Sequence, residues 1–275
     1  MEKITPQRAI TLSKKLDRPI GDSNPFYLAS NCFVEMRNGE EIVFDKDVTD
    51  GAIKPLFLPK KEENFLGQSI SIATPEDINL LEKQGFIFEK EFYGDEYIYR
   101  TKDIISLEGS HYKNFRKEIT YFKRSFKYKL LKTYDKNKIL LFLKKWEKEK
   151  ESKELTEDTK RNFKFELAAN LSWIGLLDKI PHKKIFVEIG GNLVGFDISV
   201  KLHKDLWVGL IQKTDHKYRG LRKFLNNIEA KEWKDLEFFT TGNPGDDQGL
   251  IKSKESLRPF KKIPTYVLRN IRKKK

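Results

Sequence analysis

Between Lys184 and Gln212 the chain carries three apolar-rich runs, Lys184–Ile189, Leu193–Lys201 and Leu206–Gln212. Only Gly190-Gly191-Asn192 and a second short polar break separate them. Runs joined so tightly pair antiparallel, which makes the segment a three-stranded meander. A helical pattern over roughly Tyr218–Lys234 follows, and then the short apolar run Leu236–Thr241. A strand reached through a helix is expected to return parallel and buried. Meander plus crossover places the chain in the α/β (α+β) class with a mixed sheet.

The rest of the chain fits around that unit. Residues 1–17 read as an amphipathic helix, and Ser23–Phe33 mixes aromatic residues with turn formers. Asn38-Gly39 marks a hairpin between Cys32–Arg37 and Glu41–Phe44. Ala52–Leu58 is a further strand, and Gln68–Ala73 alternates. Thr74-Pro75-Glu76-Asp77 is a strong helix start: a capping hydroxyl, a proline at the first helical position and two acids at the positive end of the dipole. Phe86–Phe92 and Glu96–Thr101 read as a second hairpin. From Ser110 the helical period takes over. Tyr112, Phe115, Ile119 and Phe122 share one face, Ile139, Leu143 and Trp146 a second helix, and Phe163, Leu167, Leu171 and Ile174 a third that Thr156 opens. A short helix near Gln248–Glu255 and a strand at Thr265–Arg269 end the set.

Fifty-four basic against 41 acidic residues leave a net charge of +13, which favours polyanionic partners. Much of it dissolves into helix faces where Lys alternates with Glu, as in Lys144–Glu151. Residues 111–132 are different: Lys113, Arg116, Lys117, Lys123, Arg124, Lys127, Lys129 and Lys132 face one acid, Glu118. The tail after Leu268 is also basic, and is expected to fray. One cysteine excludes an intramolecular disulfide, and four scattered histidines give no metal-ligand spacing, so no metal site is expected. The longest uncharged run, Ser23–Val34, is shorter than the roughly 18 residues of a spanning helix. The start lacks the apolar core of a signal peptide, so a cytoplasmic protein is the expectation.

Two segments stand out for their basic residues. One is Leu107-Glu108-Gly109-Ser110-His111-Tyr112-Lys113-Asn114-Phe115-Arg116-Lys117-Glu118-Ile119-Thr120-Tyr121-Phe122. The other is Gly249-Leu250-Ile251-Lys252-Ser253-Lys254-Glu255-Ser256-Leu257-Arg258-Pro259. On a short helix Lys254 and Arg258 share a face, and Lys252 and Ser256 another. Cations so placed suit a carboxylate, a phosphate or a developing oxyanion. Asp246 and Asp247 precede that helix, where they would either receive a proton or cap it. The turn after the meander reads Gln212-Lys213-Thr214-Asp215-His216-Lys217-Tyr218-Arg219-Gly220-Leu221-Arg222. A helix N-terminus with glycine there can cradle a pyrophosphate, but Arg222 stands where a small residue would allow close backbone approach. Asp197, with Gly195 and Ser199, makes a polar strand face that either lines a cleft or meets solvent. His216 and Glu166 read as surface residues, and Trp173, Trp207 and Trp233 as core anchors.

The two segments resemble the C-terminal domain family of phosphatidylglycerol lysyltransferases, and the order of elements from residue 110 fits an acetyltransferase-like (GNAT) domain. The resemblance implies two tandem GNAT-like domains with mixed split sheets, a degenerate one over 1–106 and a site-bearing one over 107–275. It implies kinship with Fem peptidyltransferases and an acyltransferase activity, more narrowly the transfer of an aminoacyl group from aminoacyl-tRNA to an amine or hydroxyl. Lys254, Arg258 and Asp247 are then the catalytic candidates. Lys252, Ser256, Asp246, Arg116, Lys117 and Asp197 would bind substrate, and Gln212, Arg219, Gly220 and Arg222 the donor. No cofactor is firmly implied. Coenzyme A is the weaker donor, and a non-catalytic module binding RNA or an anionic membrane surface is the alternative outside enzymes. Two departures from the family pattern stand out: Phe115-Arg116-Lys117 in the basic helix, and the shortened Asn243-Pro244-Gly245-Asp246-Asp247.

Overall fold

The computed structural model describes residues 1–46, 51–151, 157–245 and 247–274. Thr156 and Asp246 lie outside the described residues, as does the side chain of Phe163. The chain forms two compact units: Met1–Tyr99 with Thr240–Lys275, and Arg100–Phe239.

The first unit begins with β1 (Glu2–Lys3), α1 (Pro6–Leu16), α2 (Pro25–Asn31), β2 (Cys32–Arg37), β3 (Glu40–Lys46) and β4 (Ile53–Pro55). It continues with β5 (Ile70–Ala73), α3 (Pro75–Lys83) and β6 (Phe86–Arg100). The second holds α4 (Thr101–Ser106), α5 (Lys113–Ser125), β7 (Tyr128–Leu131), α6 (Lys136–Glu151), α7 (Glu157–Leu176), β8 (Lys183–Ile189), β9 (Asn192–His203), β10 (Leu206–Thr214), α8 (Leu221–Glu232) and β11 (Phe238–Thr240). The chain then returns to the first unit with α9 (Gln248–Glu255) and β12 (Lys261–Lys273).

In the first unit β1, β2, β3 and β4 form one sheet in that order. Arg37 pairs with Glu40 across Asn38-Gly39, both at positive φ, so the two-residue turn is the one the sequence signals. β12 runs antiparallel to both β6 and β5, with Lys261 opposite Ile98, Lys273 opposite Phe86 and Leu268 opposite Ile70. Leu268 and Ile271 thereby enter a core with Leu58, Phe65, Ile70, Ile78, Leu81 and Phe86. At the start of α3 the Thr74 hydroxyl and the Asp77 carboxylate cap each other's backbone N–H, and Arg18 grips Asp77 at 2.6 and 3.1 Å.

Several expectations change. The hairpin expected at residues 93–95 is a bulge in one 15-residue strand. Gly94, at φ +141°, leaves room for the Asn243 side chain there, so the break in the apolar pattern bends β6 without ending it. α2 was not expected; Asn24 caps it, its side-chain oxygen accepting from the Tyr27 N–H at 2.9 Å. The basic tail is paired strand: Arg269 bonds Glu91 at 3.0 Å and Lys273 meets Glu62 at 2.9 Å. The compact units also differ from a division at 106/107, because strand pairing draws residues 240–275 into the first.

In the second unit the strands lie in the order β11-β10-β9-β8-β7. The meander is as expected, with Gly195 opposite Thr214 and Asp197 opposite Gln212. Trp207 is fully buried, stacks on Phe239 at 4.5 Å and donates its indole N–H to the Thr101 hydroxyl. Leu171, expected inward, is 39% exposed.

α8 packs closely on α5. Gly220 sits at φ +86°, and a β-carbon there would lie 2.2 Å from the Glu118 carbonyl oxygen. Only glycine fits. Phe122 and Phe224 then meet at 4.9 Å. Gly220→Ala should destabilise the fold by about 2 kcal/mol or more, read as a lower urea midpoint; an unchanged midpoint would mean that the helices do not pack this closely.

Candidate functional site

The expected site residues divide between the units, and each set is built by local structure. Asp247, Lys252, Lys254, Ser256 and Arg258 belong to the first unit. Asp247 caps α9, accepting from the Leu250 N–H at 2.8 Å. The Ser256 hydroxyl is turned back on the Ser253 carbonyl at 2.6 Å.

Lys254 is buried, on the inward face of α9. Its ammonium donates to the Thr241 hydroxyl at 3.0 Å, and to the carbonyls of Thr241 and Gly242. Its own carbonyl accepts from the Tyr99 hydroxyl at 3.0 Å. The lysine thus ties α9 to the turn at 241–242. Burial lowers its pKa to about 8, while the charge of Glu96 opposes that. Glu96 is buried in turn and accepts from the Gly21 N–H at 3.0 Å and from the Thr240 hydroxyl. Burial raises Glu96 to about 7, and burial together with the Glu96 charge raises Asp22 to about 7.

Lys252 and Arg258 are exposed, and among the described residues neither pairs with an acid. Arg258 is held in the left-handed region at φ 60°, immediately before Pro259. A non-glycine residue rarely adopts that conformation.

In the second unit the basic helix and the basic turn come together. Arg219 lies over the Tyr121 ring at 5.3 Å, and Lys223 pairs with Glu118 at 3.1 Å. Arg222 lies within the field of Glu118 and is exposed. Gly220 begins α8 with no side-chain cap on its first amides. Lys117 stays exposed on α5. Arg116 is used locally: its guanidinium donates to the carbonyls of Leu107 and of Gly109, the latter at 2.8 Å, and pins the turn before α5.

Asp197 and Gln212, expected in separate roles, are hydrogen-bonded partners. The Gln212 amide donates to Asp197 at 2.8 Å and to the Asn226 carbonyl oxygen at 2.5 Å. Asp197 is 1% exposed, so the polar strand face is covered and does not meet solvent. Burial raises Asp197 to about 6. Glu229 on α8 contacts it and is raised well above the usual carboxylate range by burial and by the Asp197 charge. The Ser199 hydroxyl bonds Glu229 and accepts from the Trp233 indole at 2.8 Å.

Sequence reading missed Glu96, Asp22, Asn226 and Glu229. The helical spacing of Phe224, Leu225 and Asn227–Ile228 around Glu229 gives a weak signal that it faces inward. Glu96 has none, because its strand neighbours do not show what packs over it. Glu166 has a partner, the buried Lys213, which also lies 4.1 Å from the Trp146 ring. Among the described residues no group of three His, Cys, Asp or Glu could hold a metal.

The described residues thus form a mixed α/β fold with an antiparallel meander, a helix whose bare N-terminus is set by glycine, and clustered cations around it. The family model described as phosphatidylglycerol lysyltransferase, C-terminal, matches residues 69–242, and the chain belongs to that family. The family is one of acyl and aminoacyl transferases. Among solved structures, a conserved protein of unknown function from Bacteroides thetaiotaomicron superposes with a TM-score of 0.75 at 17% identity, covering 97% of this chain and 98% of that one. L-PGS from Bacillus licheniformis gives 0.65 at 14%, over 98% and 93%, and FemX gives 0.61 at 9%, over 97% and 96%. At these identities the likeness is one of fold. No curated protein matches the chain.

Removing Lys254 takes three hydrogen bonds from the 241–242 turn and the counter-charge from Glu96. Lys254→Met should cost on the order of 3 kcal/mol, seen as a lower thermal midpoint by circular dichroism. A midpoint equal to wild type would show that the lysine does not hold the turn.

Proposed function

We propose that the chain moves an aminoacyl group from aminoacyl-tRNA to an amine or hydroxyl acceptor. The observation that carries this reading is the basic surface of the second unit. There the Gly220 contact sets Arg219, Arg222 and Lys223 against α5, which brings Lys117 and Lys123. Polyphosphate backbones bind such surfaces by charge, with strong salt dependence. The family description supports the aminoacyl chemistry.

The reaction balances without a cofactor. The acceptor nitrogen or oxygen attacks the ester carbonyl of the donor. The new C–N or C–O bond forms, the ester bond to the terminal ribose breaks, and the ribose hydroxyl takes the proton that the nucleophile gives up. The protein's contributions are positioning and stabilisation of the developing oxyanion. In this reading the first turn of α8 and its arginines hold the donor, as proposed for Gln212, Arg219, Gly220 and Arg222. Lys252 and Arg258 hold an anionic group of a substrate, while Lys254 and Asp247 fix α9. No helix among the described residues is long and apolar enough to cross a membrane. An acceptor carried by an anionic lipid would be met at the bilayer surface.

Each phosphate contact contributes about 0.7–0.9 to the slope of log K against log salt. The double substitution Arg219→Ala, Arg222→Ala should therefore weaken tRNA binding and flatten that slope by about 1.5. Filter binding at several salt concentrations measures both, and an unchanged slope would remove the donor surface from the proposal. Arg258→Ala should lower transfer of labelled amino acid from charged tRNA about tenfold or more, with the fold intact. Label transfer from acetyl-coenzyme A in place of charged tRNA would move the reading to a coenzyme-A-dependent enzyme.

A further inference from the structure

The second unit buries two carboxyl groups against each other. Asp197 projects from β9 and Glu229 from α8, 1% and 5% exposed. Among the described residues Asp197 Oδ1 and Glu229 Oε1 accept no N–H or O–H, although both are shielded from water. The side chains are in hydrogen-bonding contact. Two carboxylates cannot hydrogen-bond, since neither has a donor, but a carboxylic acid and a carboxylate can.

Among the described residues the surroundings supply no counter-charge. On β10 the partner of Asp197 is Gln212, and on β8 the residue opposite is Ile185. β9 adds Ser199, and α8 adds Asn226. Trp233 reaches only the Ser199 hydroxyl. Lys183 on β8 lies 4.0 Å over the Trp233 ring and donates to the Glu232 carbonyl. Lys213 follows Gln212 on the opposite face of the sheet, where it meets Glu166 and Trp146. Like charges in contact, away from water and cations, keep one proton between them at neutral pH.

The network continues outward. The Gln212 Nε2 hydrogens are both spent, one on Asp197 and one on Asn226. That fixes the amide plane and sets the Gln212 carbonyl oxygen as a lone acceptor, which accepts no hydrogen bond among the described residues. Gln212 is half-buried, so this oxygen is the end of the chain that a ligand can reach.

We propose that Glu229 and Asp197 share one proton and act as a positioning pair. They hold the Gln212 amide so that its carbonyl oxygen receives an N–H or O–H of the substrate, an ammonium, amine or hydroxyl, during aminoacyl transfer. This rests on the reading of the chain as an aminoacyltransferase, but the shared proton and the fixed amide are properties of the unit without substrate. Glutamine at 229 would replace the shared proton with a permanent N–H donor; alanine would leave Asp197 without its partner.

The sign of the pH effect follows from the raised folded-state values. In the unfolded chain both acids lose their protons near pH 4, whereas the folded pair keeps one or both to about pH 6 and beyond. Stability from this pair is therefore whole at pH 4 and falls as pH rises through 6. Glu96 and Asp22 contribute a slope of the same sign, so the informative quantity is the difference between wild type and variant.

The experiment uses the full chain with Glu229→Gln, Glu229→Ala and Gln212→Ala. Thermal midpoints are taken from pH 4 to 9, and exchange of the Gln212 side-chain amide protons is followed by nitrogen-15 NMR. The midpoint of Glu229→Gln should exceed wild type by about 4 °C or more at pH 8, with the gap closing by pH 4. The Gln212 amide protons should exchange slowly in wild type and Glu229→Gln, and quickly in Glu229→Ala. In the transfer assay Gln212→Ala should lose about ten- to hundredfold in kcat/KM, Glu229→Ala should lose a similar factor, and Glu229→Gln should restore it. A gap independent of pH overturns the shared proton. Equal amide exchange in all variants overturns the positioning. Intact transfer by Gln212→Ala overturns the substrate contact. A wild type that transfers nothing, with the midpoint and exchange results as expected, sinks the aminoacyltransferase reading and the substrate contact but leaves the proton-sharing pair standing.

Discussion

The first unit depends on β12. One strand satisfies the facing edges of both β6 and β5 and carries Leu268 and Ile271 into the core between them. An unpaired strand edge is a costly surface, and here two are closed by residues far along the chain. The same pairing fixes what precedes it. α9 is joined to β12 by a short turn through Arg258, and Lys254 anchors it to the turn at 241–242. The strained Arg258 backbone is held between these two anchors, with its side chain exposed.

Buried ionisable groups recur in both units and are handled differently. In the first, Glu96 has a cation in its field, a backbone N–H and a hydroxyl, so its charge is partly compensated. In the second, Asp197 and Glu229 have, among the described residues, only neutral donors and each other. A lone buried carboxylate is compensated or protonated. The first cluster uses compensation to hold a turn. The second uses a proton, and so links the geometry of α8 to pH through two carboxyl groups with no cation in their field among the described residues.

The bulk charge resolves into paired and unpaired parts. Arg269 and Lys273 of the basic tail are matched by Glu91 and Glu62, and Arg116 is consumed by backbone carbonyls. Lys252, Lys117, Arg222 and Arg258 are left exposed, and these fall on or beside the segments whose resemblance marks the family. Exposed pairs contribute little to stability, and among the described residues Lys252, Lys117 and Arg258 form no ion pair.

The sequence by itself determined the local structure. The α3 capping box, the Asn38-Gly39 turn, the meander and the bounds of α9 follow from short-range rules, because capping, turn geometry and hydrophobic period act over a few residues. It also pointed to the family, through the segments at 107–122 and 249–259, of which the family model's match over residues 69–242 takes in the first. Tertiary structure alone decided that β6 continues through Gly94, that residues 240–275 join the first unit, and that Asp197 is buried beside Glu229. Each turns on a partner distant in the chain: Asn243 for Gly94, β6 and β5 for β12, α8 for Asp197. A strand's alternation shows which residues share a face but not what covers it, and for Asp197 the cover is what separates a solvated carboxylate from one that must share a proton.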